Sequence, residues 1–190
     1  MNQRIKNNIQ EHLQVIEQML AEGLDVLESI SEEIVKAVNN GGKILIAGNG
    51  GSAADAQHIA GEFIGRFLYD RKPLPAIALS CDTSVITCVG NDYSYADIFA
   101  RQVQALGNEK DVFWGISTSG NSENVIKAAM SAKQIGMTVI GFTGANGGKL
   151  KEIADLCFCS PHTRTNRIQE AHILAYHIVC ELMESSLCPK

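Results

Sequence analysis

This 190-residue chain has no basic excess: 16 Lys+Arg stand against 21 Asp+Glu, a formal charge of −5. Non-specific nucleic-acid binding needs a basic footprint, so no nucleic-acid partner is expected. An anion bound here must be captured by a local site, because the overall field repels it. No stretch approaches the roughly 18 continuous apolar residues of a membrane span, which sets a membrane partner aside. Residues Met1–Asn7 are polar and hold no apolar segment of the signal-peptide type. The expectation is therefore a cytoplasmic protein. None of the six cysteines, at 81, 88, 157, 159, 180 and 188, forms a Cys-x-x-Cys pair. They read as reduced, mostly buried thiols. Cys157 and Cys159 alternate in a predicted strand, sharing a face without facing each other as a clip would. There is no internal repeat, low-complexity segment or linker. What remains, 45% apolar and 19% charged residues, suits one domain with a sizeable core and little room for a second.

Residues 3–40 read as helix. Ile9, Leu13, Ile16 and Leu20 fall on one face, and Leu24, Leu27, Ile30, Ile34 and Val38 continue at helical spacing. Gly23 suggests a break between two helices, and Asn39-Asn40-Gly41-Gly42 stops the second. Short apolar runs follow at 43–48, 76–80, 111–117, 138–143 and, more weakly, 156–160. They are continuous rather than alternating, as strands covered on both faces are. Helical stretches separate most of them, which predicts an α/β parallel sheet with right-handed crossovers.

In such sheets ligands bind beyond the carboxyl ends of the strands. Two of those ends are unusual. The first strand runs into Gly48-Asn49-Gly50-Gly51-Ser52 and a helix from Ala53 to about Phe67. Glycines admit a ligand close to backbone N–H groups, and a helix N-terminus favours an anion. The third strand runs into Ser117-Thr118-Ser119-Gly120-Asn121-Ser122, with a helix beginning near Glu123. A helix cap explains one or two of these four hydroxyls, not all of them. Together they offer donors for a phosphate without net positive charge. The first loop also fits the dinucleotide fingerprint G-x-G-x-x-G/A, but that fingerprint wants an acid about 20 residues on. The nearest candidate, Asp82, lies too far along the chain.

His58 and Glu62 are four apart on the helix after the first loop, so they share a face. The pair suits a surface ion pair, a metal site or acid/base work. On the last predicted helix, 165–187, Ile168, Ala171, Ala175, Ile178 and Leu182 make the stripe expected to meet the sheet. Gln169, Ile173, Tyr176, His177 and Cys180 lie on a second side that a site or another subunit should cover. His172 reads as a packing histidine, and His12 and His162 as surface residues. Spacing alone does not choose between His172 and His177 as the partner of Gln169. Asn91-Asp92-Tyr93 is either a turn with caps or a polar clamp on a ligand.

The sequence strongly resembles the bacterial phosphoheptose isomerases, a family of single sugar-isomerase (SIS) domains. The likeness covers nearly the whole chain and is carried by Gly48-Asn-Gly-Gly-Ser52, Asp55-Ala-Gln-His58, Glu62, Asn91-Asp92, Gly115-Ile-Ser-Thr-Ser-Gly-Asn-Ser122 and Arg167-Ile-Gln-Glu170 with His177. It implies a three-layer, flavodoxin-like sheet of five parallel strands behind two leading helices. Residues 1–190 would form one SIS domain, with 1–40 serving oligomerisation and 41–190 binding sugar phosphate. It further implies a homotetramer with sites at subunit contacts. One Zn²⁺ per subunit would sit at His58, Glu62, Gln169 and His177, a choice of His177 over His172 that the resemblance alone makes. Substrate contacts would match Asn49, Gly50, Gly51, Ser52, Glu62, Asn91, Asp92, Ser117, Thr118, Ser119, Ser122 and Gln169, with Glu62 and His177 catalytic. The implied reaction is isomerisation of sedoheptulose 7-phosphate to D-glycero-D-manno-heptose 7-phosphate through an enediolate, for a bacterial surface glycan. The alternative is a non-catalytic SIS tetramer resembling the replication initiator-associating protein. That family lacks the acid and the histidine found here at Glu62 and His177.

Overall fold

The structure, a computed structural model, describes residues 2–22 and 25–188. Two helices lead, α1 (Asn2–Glu22) and α2 (Asp25–Asn39). The expected break at Gly23, and Leu24 beside it, lie outside the described residues. There follow β1 (Ile44–Gly48), α3 (Gly51–Ile64), β2 (Ala76–Ala78), α4 (Thr83–Asp92), α5 (Ala100–Leu106) and β3 (Val112–Ile116). The chain continues through α6 (Glu123–Ile135), β4 (Thr138–Thr143), α7 (Gly148–Ile153), β5 (Leu156–Cys159) and α8 (Thr165–Leu187). All five strands pair in parallel in the order β2-β1-β3-β4-β5. This is the flavodoxin-like order, and its switch point lies between β1 and β3.

Both faces of the sheet are buried, which is why the strands read as unbroken apolar runs. Ile44, Ile46, Trp114, Ile140 and Phe142 point to one layer, formed with α1, α2, α3 and α8. Leu45, Ala47, Phe113 and Val139 point to the other, formed with α4 to α7. The edge strand β2 ends at Ala78, short of the expected Ser80, and Ile77 between its two buried alanines faces outward.

Two expectations about helix faces are corrected. On α1 the residues in the core are Val15 and Met19, whereas Ile9, Leu13 and Leu20 are at least half exposed. On α8 the core stripe takes in Tyr176, Val179, Cys180 and Met183, so Tyr176 and Cys180 belong to the packed side and Leu182 does not. Helix α8 packs on α2 and α3 as well as the sheet, which widens its buried arc. Among the cysteines only Cys180 is buried, and Cys81 and Cys88 are exposed. His172 is the packing histidine expected: fully buried, its Nε2 lies 2.9 Å from the Thr143 carbonyl oxygen. Burial pushes its pKa down to about 4. His12 is no free surface residue, since its Nδ1 meets the Glu170 carboxylate at 2.7 Å.

Candidate active site

The two unusual loops lie side by side, because β1 and β3 are neighbours. Gly50 takes φ +55°, a left-handed conformation that L side chains rarely adopt, and caps α3. Asn49 and Asn124 exchange two amide hydrogen bonds of 2.8 Å, tying the first loop to the first turn of α6. The Tyr95 hydroxyl donates to Asn49 Oδ1 at 3.0 Å. In the second loop, Ser117 Oγ lies 2.9 Å from Ser122 Oγ and 3.5 Å from Ser119 Oγ. Ser122 stands at the cap position of α6, yet its hydroxyl makes no capping bond and turns to Ser117 instead. Gly120, at φ +65°, crosses so near Gly147 that a Cβ would stand 1.9 Å from its carbonyl oxygen. The loop is thus packed against the α7 loop, its serine hydroxyls gathered at the start of a 13-residue helix. Those hydroxyls, with the backbone N–H groups there, suit a phosphate in a protein of net negative charge.

Gln169 of α8 reaches this place. A Cβ on Gly51 would meet its Nε2 at 2.4 Å, so the glycine leaves room for the carboxamide. Seven residues on from Gly51 and eight on from Gln169 stand His58 and His177, about two helical turns along each helix. There His58 Nε2 lies 3.0 Å from Glu62 Oε1. His58, Glu62 and His177 each offer a donor atom within 4.8 Å of the other two. The Tyr176 hydroxyl lies 2.8 Å from His58 Nδ1 and orients that ring. The His177 ring stacks on Phe67 at 5.7 Å. Burial, with His58 beside it, holds its pKa below the ordinary value, against the pull of Glu62. A neutral imidazole at neutral pH can accept a proton or bind a metal. Asp55, one turn before His58, is buried with Oδ2 unpartnered, and burial raises its pKa to about 6.

The SIS-domain family model matches residues 8–144. The phosphoheptose isomerase of Aneurinibacillus thermoaerophilus is 51% identical over 98% of this chain and 96% of its own. The chain belongs to the phosphoheptose isomerase family. Solved phosphoheptose isomerases share the fold throughout. That of Neisseria gonorrhoeae has a TM-score of 0.92 at 42% identity, covering 97% of this chain and 98% of its own. That of Francisella tularensis has 0.93 at 36%, covering 96% and 97%.

In this phosphoheptose isomerase fold, the catalytic candidates are held by a buried clamp that sequence reasoning missed. The Glu184 carboxylate accepts the N–H groups of Phe67, Leu68 and Tyr69 at 2.9, 2.6 and 3.1 Å, and Arg71 Nε at 2.8 Å. Arg71 in turn donates to the carbonyl oxygens of Glu62 and Phe63. The clamp therefore fixes the end of α3, which bears Glu62, and the segment that lays Phe67 on His177. Asn91 and Asp92 end α4, exposed and bonded to each other at 2.8 Å. Asn124 and Tyr95 were also missed; each acts through a partner at least 46 residues away in sequence, and no local pattern signals that.

Proposed function

We propose that this chain is an aldose–ketose isomerase that converts sedoheptulose 7-phosphate to D-glycero-D-manno-heptose 7-phosphate in the cytoplasm, for bacterial surface-glycan heptose. The observation that carries the reading is the convergence of Glu62, His58 and His177 two turns from a phosphate-type loop, in a chain of this family. Ser117, Thr118, Ser119 and Ser122 anchor the phosphate, with Ser52 and the N–H groups of Gly50 and Gly51 alongside. Asn49, Gln169, Asn91 and Asp92 contact the sugar hydroxyls. Because the anchor is remote from C1 and C2, its binding energy positions the reacting carbons.

Glu62 takes the C1 proton as a carboxylate, and His177 moves protons between O1 and O2. An imidazole kept neutral by burial suits both directions of that transfer. The reaction balances within the substrate: one proton leaves C1, one arrives at C2, and the hydroxyl proton crosses from O1 to O2 in the same turnover.

The donor set also fits a zinc ion. Two imidazoles and a carboxylate from two helix faces make the three-ligand set of an open catalytic site, and Tyr176 supplies the outer partner of His58. When bound, zinc would act as a Lewis acid on the substrate oxygens that become the enediolate. His58, Glu62, Gln169 and His177 would hold it, with Glu62 and His177 as loose ligands that let go to carry their protons. The exposed Ile5, Ile9, Leu13 and Leu20 of α1 support assembly through the leading helices, for which we propose a homotetramer. Turnover of sedoheptulose 7-phosphate, followed with and without a chelator, tests the reading; no turnover by the metal-loaded protein would overturn it.

A further inference from the structure

Away from this site, at the far edge of the sheet, β5 carries two thiols on one face. The Sγ atoms of Cys157 and Cys159 stand 3.8 Å apart, in contact rather than merely on the same side. Thr143 Oγ1, on the neighbouring strand, is 3.3 Å from Cys159 Sγ and 3.7 Å from Cys157 Sγ. We propose that Cys157 and Cys159, with the Thr143 hydroxyl beside them, form a binding site for one thiophilic divalent d¹⁰ cation, zinc or cadmium, distinct from the histidine–glutamate cluster.

The spacing is the first argument. Two thiolates each about 2.3 Å from a tetrahedral zinc lie about 3.8 Å from each other. The sulfurs already hold that separation. A disulfide is less well served: residues two apart on an extended strand have Cα atoms about 6.6 Å apart, near the limit for bridging.

The surroundings are the second argument. Thr143 is the register partner of Cys159, and Gly141 that of Cys157. A Cβ at 141 would stand 3.2 Å from Cys157 Sγ, so the glycine leaves that sulfur its space. The Cys159 thiol is held down to about 6 by the Cys157 hydrogen bond, against burial, with help from the Thr143 hydroxyl and the charge of Lys151. The same hydrogen bond and burial push Cys157 up. Cation binding displaces the thiol protons to solvent, and no electron moves. Soft sulfur donors select zinc-group ions over magnesium or calcium. A cavity of about 380 Å³, lined by Glu22, Asp25, Lys151, Cys157, Cys159 and Pro161 among others, brings solvent to the edge strand.

The test is titration of the reduced, metal-free protein with Cd²⁺, read by the ultraviolet sulfur-to-cadmium charge-transfer band. The histidine–glutamate cluster has nitrogen and oxygen donors only, so the band is blind to it, and its result is independent of the isomerase reading. One thiolate-bound cadmium per chain is expected. Cys157→Ser or Cys159→Ser should abolish the two-thiolate band and weaken this binding roughly a hundredfold or more. The triple variant Cys81→Ser, Cys88→Ser, Cys188→Ser should leave it intact. No band in the unaltered protein, or a band that survives Cys157→Ser with Cys159→Ser, would overturn the proposal.

Discussion

Replacing Glu184 by glutamine keeps the shape of the buried clamp and removes its charge. The carboxylate has four donors, and the Arg71–Glu184 side chains are 2% and 0% exposed. In Glu184→Gln the amide can accept from some of the backbone N–H groups, but its own NH₂ faces donors and the guanidinium is left buried without a counter-charge. Breaking a buried pair in this way costs about 3–5 kcal/mol. For a chain of this size each kcal/mol lowers Tm by about 2–4 °C, so Tm should fall by roughly 6–20 °C. Burial alone would raise the Glu184 pKa, but the bonds from Phe67, Leu68, Arg71 and Tyr69 outweigh it and hold the group below its ordinary value. Its stabilisation is therefore present at neutral pH and lost as pH falls through the lowered pKa, so the cost of Glu184→Gln should shrink in acid. The released segment carries Phe67, so kcat should fall at temperatures where the protein is still folded. The assay is calorimetry with isomerase kinetics on Glu184→Gln, Arg71→Met and the double variant Arg71→Met/Glu184→Leu. The double variant should recover part of the lost stability, since it buries no orphan charge. A Glu184→Gln protein within 1 °C of the parent Tm would refute the clamp.

The phosphate anchor predicts that Ser119→Ala with Ser122→Ala raises KM about a hundredfold or more without unfolding the protein, since hydroxyl-to-phosphate bonds are worth roughly 1.5–3 kcal/mol each; an unchanged KM would count against the loop. His172 predicts an acid-side loss of stability. With its folded pKa near 4 against an ordinary 6.5, the neutral ring stabilises the fold fully above 6.5, and that contribution, about 3 kcal/mol at most, is lost as pH falls toward 4. Chemical denaturation between pH 4 and 7 should show this slope flattened in His172→Gln, whose isomerase chemistry should be nearly untouched. Assembly predicts a mass well above the 20.5 kDa of one chain by light scattering, with four chains expected; a clean monomer at micromolar concentration would sink it. Chelation should lower turnover and added zinc restore it, whereas full activity in rigorously metal-free protein would make the ion incidental.

Much of this architecture was legible because burial on both faces leaves a plain mark. The runs around Ile44–Gly48 and Thr138–Thr143 are continuous, and both strands are buried along nearly their whole length. Helix α8 spans 165–187 as its periodicity predicts. The glycine and serine loops stand out by composition and land at the switch point. What was not legible depends on distant partners. A helix packed on three sides buries more than one stripe, so Tyr176 and Cys180 were placed on the wrong side of α8. The outward apolar residues of α1 obey helical periodicity equally well whether they meet this chain's core or another subunit. Glu184 and Arg71 look like ordinary surface charges until the fold brings them together across 113 residues. The two thiols of β5 share a face as alternation requires, but alternation alone does not place their sulfurs 3.8 Å apart.

The central claim is that Glu62 is the base that removes the C1 proton. The most direct measurement is exchange of the C1 hydrogen of the sugar phosphate with deuterated water, catalysed by Glu62→Gln, whose amide keeps the shape of the carboxylate but not its basicity. Positioned proton transfer contributes about 10²–10⁴ in rate, so exchange and kcat should both fall by that factor while the substrate still binds. Exchange at the parent rate in Glu62→Gln would contradict the account and place the base on another residue, with Asp92 the next to test.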